Sequence, residues 1–182
     1  IVIPVHFAGQ PCDMPAIYDL SKRYGFKIIE DASHAIGASY KKIKVGSCVH
    51  SDIAVFSFHP VKIITTAEGG MALSNNQDIA DKMIRLRTHG ITTDKKKMKQ
   101  HPKDEIWNYE QINLGFNYRM NDIQAALGLS QMKRLDHYVR SRHKIAKIYD
   151  VELVKLPIIL PWQSPDNYSS YHLYSIRIKD NI

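Results

Sequence analysis

The run from Ile1 to Glu30 constrains the fold most. Ile1 to Phe7 is apolar and β-branched, as a central strand requires, and Asp13 to Tyr24 carries Met14, Ile17, Tyr18, Leu20 and Tyr24 at helical spacing. Gly25 follows, the residue type that ends helices in a left-handed cap, and Phe26 to Glu30 is a second short strand. Strand, helix, strand over so short a stretch is a βαβ unit, whose two strands lie parallel. The expected class is α/β, a mostly parallel sheet with flanking helices.

Downstream, Asp52 to Phe58 predicts a third strand, Gly70 to Ser74 a fourth, and Asn76 to Thr88 a helix with Ile79, Met83 and Leu86 on one face. Residues 91 to 116 lack sustained periodicity and predict a long polar loop. Asp122 to Tyr149 predicts one long helix with an apolar stripe of Ile123, Leu127, Met132, Leu135 and Val139. Pro157, Pro161 and Pro165 mark an irregular connection before a strand-like alternation from Ser170 to Ile178. The expected division is a large domain over 1–120, a linking helix over 121–150 and the start of a smaller domain over 151–182. The chain opens directly on a strand with no initiator Met and stops just after another, so both ends read as cut.

The apolar runs, such as Ile1 to Val5 and Leu156 to Leu160, fall far short of the roughly 20 residues a membrane-spanning helix needs, so no membrane span is expected. Cys12 and Cys48 have neither zinc-site spacing nor the density of a secreted disulfide framework, which points to reduced thiols in the cytoplasm. The histidines show no metal-binding spacing, and no metal is expected. The formal net charge of +7 owes much to Lys95, Lys96, Lys97, Lys99 and Lys103, a solvated loop or an attraction for a phosphorylated ligand. Nucleic acid is not the expected partner, because no aromatic or Arg residues interleave with those lysines to stack on bases.

In an open parallel sheet, ligands sit beyond the carboxyl ends of the strands. Two stretches place unusual polar residues there: Ile29-Glu30-Asp31-Ala32-Ser33-His34-Ala35-Ile36-Gly37, and Ser57-Phe58-His59-Pro60-Val61-Lys62 with Thr65-Thr66-Ala67-Glu68-Gly69-Gly70. A lysine at a strand end can bind an aldehyde as a Schiff base. Pyridoxal phosphate needs such a lysine and an acid facing its pyridine nitrogen. Lys62 and Asp31 supply the pair. Lys62, released by a substrate amine, could also serve as the base that moves a proton during transamination.

With Gly115-Phe116-Asn117-Tyr118-Arg119-Met120-Asn121 and Ala125-Ala126-Leu127-Gly128 added, the three stretches resemble, in order, the signatures of the DegT/DnrJ/EryC1/StrS family of sugar aminotransferases. The resemblance implies a fold-type I pyridoxal-phosphate-dependent transferase, of which 1–120 is part of the cofactor-binding large domain. It implies a homodimer with active sites at the subunit interface. Asp31 would face the pyridine nitrogen, His34 would lie near the cofactor ring and its hydroxyl, Ser57 would bind the phosphate and Lys62 would hold the cofactor covalently. Asn117 resembles the asparagine that reaches the phosphate of the neighbouring subunit's cofactor, with Arg119 a nearby candidate.

The block around Lys62 is most similar to family members of pseudaminic acid biosynthesis, which implies transfer of an amino group from glutamate to C4 of a UDP-linked 4-keto-6-deoxy-N-acetyl sugar. Ala67 stands where many family members have glycine. Family members also carry, ahead of the equivalent of Ile1, a phosphate-binding turn and a ring-stacking aromatic. The chain is therefore expected to be a fragment lacking the N-terminal part and most of the C-terminal domain, unable to complete a transamination cycle alone.

Each residue has a plainer reading. Asp31 could cap a turn, Ser57 could be an ordinary strand-end hydroxyl, His34 could be a packed histidine and Asn117 could satisfy backbone amides near a helix start. His59 and Glu68 could only shape the loop, and Tyr171 and His172 have nothing beyond position to recommend them. Two other functions compete: a non-catalytic basic binding module, and a sugar dehydratase relative, which Lys62 argues against because those enzymes replace the lysine with histidine.

Overall fold

In the computed structural model, residues 1–99 and 107–179 are described, so Lys103 and the last residues of the chain lie outside the described part. In chain order the strands are β1 (Ile29–Asp31), β2 (Ser39–Tyr40), β3 (Ile43–Lys44), β4 (Ile53–Ser57), β5 (Gly70–Leu73), β6 (Ile91–Thr92), β7 (Glu110–Gln111), β8 (Ile158–Ile159), β9 (Asn167–Tyr168) and β10 (Arg177–Ile178). The helices are α1 (Met14–Tyr24), α2 (Gln77–Arg87), α3 (Asp122–Met132) and α4 (Leu135–Leu153). The chain divides into two compact units, Ile1–Asn75 with Asp122–Ile182, and Asn76–Asn121.

In the first unit, β1 pairs parallel with β4, with Asp31 opposite Val55, and β5 returns antiparallel on the other side of β4. The opening segment runs parallel beside β1 through bridges Val2 to Ile28 and Val5 to Asp31. The amides of Ile29 and Asp31 donate to the carbonyls of Val2 and Pro4, and the His6 amide donates to the Asp31 carbonyl. The expected first strand is thus reduced to isolated bridges, because Pro4 has no N–H to extend a ladder. Helix α1 supplies the crossover. The Asp13 side chain accepts from the Ala16 amide at its start, and Gly25, at φ 72°, caps its end. The expected parallel sheet is confirmed for the opening segment, β1 and β4; β5 makes it mixed, because the short connection 58–69 reverses the chain instead of crossing over.

The residues expected to form one long helix form two. The chain breaks at Lys133–Arg134, where Arg134 has φ −110° and ψ 2°, outside helical geometry. Val139 is then 1% exposed, whereas Ile123, Leu127 and Met132 of the expected apolar stripe stay exposed on α3. What presses α3 close is Gly128, where an added Cβ would lie 2.7 Å from Thr66 Cγ2.

The alternation over 170–178 forms a strand only at β10, which pairs with β8; residues 170–176 are irregular. Just before them, β9 adds to the β2–β3 hairpin. No helix among the described residues is long and apolar enough to cross a membrane.

In the second unit, α2 begins on Asn76, whose side chain accepts from the Ile79 amide. Ile79, Met83 and Leu86 are half-buried on one face of it, as the spacing predicts. The expected loop over 91–116 contains a short antiparallel ladder, β6 with β7, which pins its described ends together.

Candidate active site

Glu30 and Asp31 point to opposite sides of β1, as neighbours in a strand must. Glu30 goes into the core. The His6 ring donates from Nε2 to Glu30 Oε2 at 2.9 Å, the Cys12 amide donates to His6 Nδ1 at 3.1 Å, and the Ser51 hydroxyl donates to Glu30 Oε1. His6 is 0% exposed, and the acceptor role of Nδ1 places its proton on Nε2. Burial pushes the Glu30 carboxyl up, but the hydrogen bonds from His6 and Ser51 outweigh it and leave the pKa below 4.5. This network ties the opening segment, β1 and the approach to β4 together directly beneath Asp31.

Asp31 takes the other side, and the register with Val55 puts Ser57 on that same side at the carboxyl end of β4. The Ser33 amide donates to Asp31 Oδ1 at 3.1 Å. Burial raises the Asp31 pKa, but Ser33 and the positive ends of His34 and Lys62 bring it below its ordinary value. His34 moves down as well, first through burial and then through the Lys62 charge, with Asp31 opposing. The Lys62 charge thus acts on both Asp31 and His34.

Lys62 is placed by the loop after β4. Its amide donates to the His59 carbonyl at 2.9 Å, closing a turn, and the chain then enters the core at Ile63 and Ile64. Phe58 anchors the loop base: its carbonyl accepts from the Thr65 hydroxyl and the Thr66 amide, and its amide donates to the Gly69 carbonyl. Ala67 has φ 65°, a left-handed conformation, which gives the glycine of many family members a physical reason. His59 and Glu68 form a long, exposed ion pair at 3.8 Å.

Asn117 belongs to the second unit, where it bridges antiparallel to Thr88, and Arg119 follows in the same unit. His172 had only its position to recommend it and Arg142 no local signal, yet His172 reaches this site and Arg142 holds the segment that carries it. The His172 ring lies 4.4 Å from the His34 ring, and Arg142 Nη1 donates to the carbonyls of Tyr171 and His172 at 3.0 and 3.3 Å. Burial, then the charges of His34, Lys62 and Arg142, push the His172 pKa down to about 4. No local periodicity could have joined His34 to His172, because the contact is made by the irregular segment after β9.

These residues fit pyridoxal phosphate. Lys62 stands on the loop after β4, its charge acting on a carboxylate kept ionised at the end of β1, and buried His34 Nδ1 has no hydrogen-bond partner, a position a ligand hydroxyl would satisfy.

All 182 residues match the DegT/DnrJ/EryC1/StrS aminotransferase family. The chain is 44% identical over 173 residues to the UDP-4-amino-4,6-dideoxy-N-acetyl-beta-L-altrosamine transaminase of Campylobacter jejuni, covering 94% of this chain and 43% of that protein. Among solved structures, Helicobacter pylori PseC, an aminotransferase involved in the biosynthesis of pseudoaminic acid, superimposes with a TM-score of 0.87 at 33% identity, over 98% of this chain and 45% of that one. A putative sugar aminotransferase of Streptococcus pneumoniae, solved in its PLP form, gives a TM-score of 0.79 at 30% identity, over 98% and 47%. The chain thus spans somewhat under half the length of these relatives. With the match running from Ile1 to Ile182 through all three signature stretches, the chain belongs to the DegT/DnrJ/EryC1/StrS aminotransferase family.

Proposed function

We propose that the chain supplies the lysine-bearing part of a pyridoxal-phosphate-dependent nucleotide-sugar aminotransferase. The observation that carries this reading is the parallel register of β1 with β4, which brings Asp31 and Ser57 to one side of the sheet at the carboxyl ends of the strands, with Lys62 on the loop that follows β4. Lys62 would hold the cofactor covalently, Asp31 would face its ring nitrogen, His34 would offer Nδ1 to its hydroxyl and Ser57 would bind its phosphate. Asn117 would serve the phosphate of a neighbouring subunit in a homodimer. When bound, pyridoxal phosphate supplies an electron sink for a carbanion next to the transferred nitrogen. Asp31, held ionised, keeps a proton on the ring nitrogen it faces. Lys62 would also serve as the base that moves a proton at the substrate carbon.

The similarity to the Campylobacter jejuni transaminase and to Helicobacter pylori PseC supports a UDP-linked 4-keto-6-deoxy-N-acetyl sugar as acceptor, with glutamate as donor and C4 as the aminated carbon, in surface or flagellin glycan synthesis in the cytoplasm. The test is the full-length protein with glutamate and a panel of UDP- and TDP-linked 4-keto sugars, with products identified by mass spectrometry and NMR. A 4-amino sugar from the UDP-linked N-acetyl substrate is expected. Absence of an amino sugar from every substrate overturns the reading.

A further inference from the structure

We propose that His172 is a positioning residue of the Asp31–His34–Lys62 site: its ring packs against His34 and sets how that ring stands, and Arg142 holds His172 in place through the backbone. The proposal rests on the cofactor-site reading above. The His34 ring makes no hydrogen bond among the described residues, and its buried Nδ1 has no partner. Its orientation is left to packing. Two rings supply that packing: Phe7, with centroids 6.1 Å apart, and His172, at 4.4 Å with an interplanar angle of 37°. His172 is the nearer, and its own Nδ1 is likewise buried and unpartnered.

The segment carrying His172 is held far more tightly than an irregular connection needs to be. Ser170 is 0% exposed; its hydroxyl donates to the His34 carbonyl at 2.8 Å and its amide to the Gly9 carbonyl at 3.0 Å. The Leu173 amide donates to the Ala8 carbonyl at 3.2 Å. Gly9 has φ 99°, and a Cβ there would come within 2.5 Å of Ser170 Oγ and 2.9 Å of the Tyr171 and His172 amide nitrogens. The turn that carries Phe7 and the segment that carries His172 are therefore locked to each other.

Tyr171 is itself in the left-handed region, at φ 47°, a conformation unfavourable for a residue with a side chain. Arg142 offsets that cost by clamping the carbonyls of Tyr171 and His172 from α4. It is half-buried with no ion pair to a carboxylate among the described residues. The backbone clamp is its visible task.

The groups facing His34 are Asp31 from the end of β1, Lys62 from the loop after β4, and His172, with Arg142 behind it on α4. Lys62 opposes protonation of both rings, Arg142 adds to this at His172, and Asp31 favours protonation of His34. The His172 ring acts on His34 by excluding water. The pair is neutral at neutral pH, which leaves His34 Nδ1 able to exchange a hydrogen bond with a hydroxyl-bearing ligand.

The test uses the full-length protein and two readouts, the first taken without cofactor. NMR of ring-labelled histidine, with the His34 signal assigned through His34→Gln, follows the titration midpoint of that ring. In the wild type the midpoint lies below the ordinary 6.5. His172→Ala is expected to raise it by about half to one unit as water enters, while His172→Phe, which keeps a ring but not a nitrogen, leaves it low. The second readout is pyridoxal phosphate affinity by absorbance. His172→Ala is expected to weaken it about three- to tenfold, the worth of one ring-on-ring contact, and His172→Phe to restore it to within about twofold. If His172→Ala does not fold, Arg142→Lys, which keeps the charge but loses the two-carbonyl clamp, should shift the midpoint the same way by less. An unmoved His34 midpoint in folded His172→Ala or, where that variant does not fold, in Arg142→Lys, or a Phe variant as impaired as Ala, overturns the proposal. Failure of the wild type to bind pyridoxal phosphate instead overturns the function, and the midpoint still decides this inference.

Discussion

Asp31 is paired in parallel register with Val55, which places Ser57, two residues further along β4, on the same side of the sheet as the Asp31 carboxylate. A one-residue slip would send Asp31 into the core and bring Glu30 out. The buried His6–Glu30–Ser51 network forbids that slip, so which acid faces away from the core is specified by the acid that is buried.

The first prediction concerns Asp31. Asp31→Ala in the full-length protein should still allow pyridoxal phosphate to be held through Lys62, but should slow the glutamate half-reaction about a hundredfold or more, because the ring nitrogen loses its partner. Single-turnover absorbance kinetics separate the two steps. An unchanged half-reaction rate removes Asp31 from its role.

Removing His6 should destabilise the fold. His6→Ala leaves the Glu30 carboxylate buried without its ring donor, a change worth about 3 kcal/mol, measured by urea unfolding. A loss below about 1 kcal/mol, the net worth of an ordinary hydrogen bond, would mean that the network is not what fixes β1.

Glu30 also predicts a pH dependence. Its folded pKa is lowered, so its contribution is present above the ordinary value of 4.5 and is lost as pH falls through the folded value. Unfolding free energy should therefore drop on acidification below about 4.5, and Glu30→Gln should flatten that drop. Equal slopes for wild type and variant would exclude Glu30 as a source.

Ala67→Gly should stabilise the loop that presents Lys62. The left-handed conformation costs alanine about 1 kcal/mol, partly offset by the entropy glycine loses on folding, for a net gain of about 0.5 kcal/mol. Chemical denaturation reads it directly. A destabilised variant would contradict the assigned backbone.

Much of this was legible from local pattern. The βαβ opening, the Gly25 cap, the β4 strand and the position of Asp31 at the end of β1 all follow from periodicity and from residues that act on their immediate neighbours, and Lys62 comes on the loop that follows β4. What pattern could not supply depends on distant partners. The break at Lys133–Arg134 has no proline or glycine to announce it, and the strand-like alternation of Ser170 to Ile178 is overridden by hydrogen bonds to Gly9, Ala8 and His34. His143 reinforces this from α4, with a 2.7 Å hydrogen bond to the Ser169 carbonyl and a ring stacked on Tyr168. His172 had only its position to recommend it, and Arg142 not even that, for the same reason: their meaning lies in what that segment touches.

Lys62 is proposed to hold the cofactor, and its chemistry leaves a mark that can be read directly. Full-length protein loaded with pyridoxal phosphate, reduced with borohydride and digested, should yield one cofactor-modified peptide, with the modification on Lys62, and Lys62→Ala should lose both the modification and the visible absorbance. A modification on any other lysine, or none in the loaded wild type, would contradict the account.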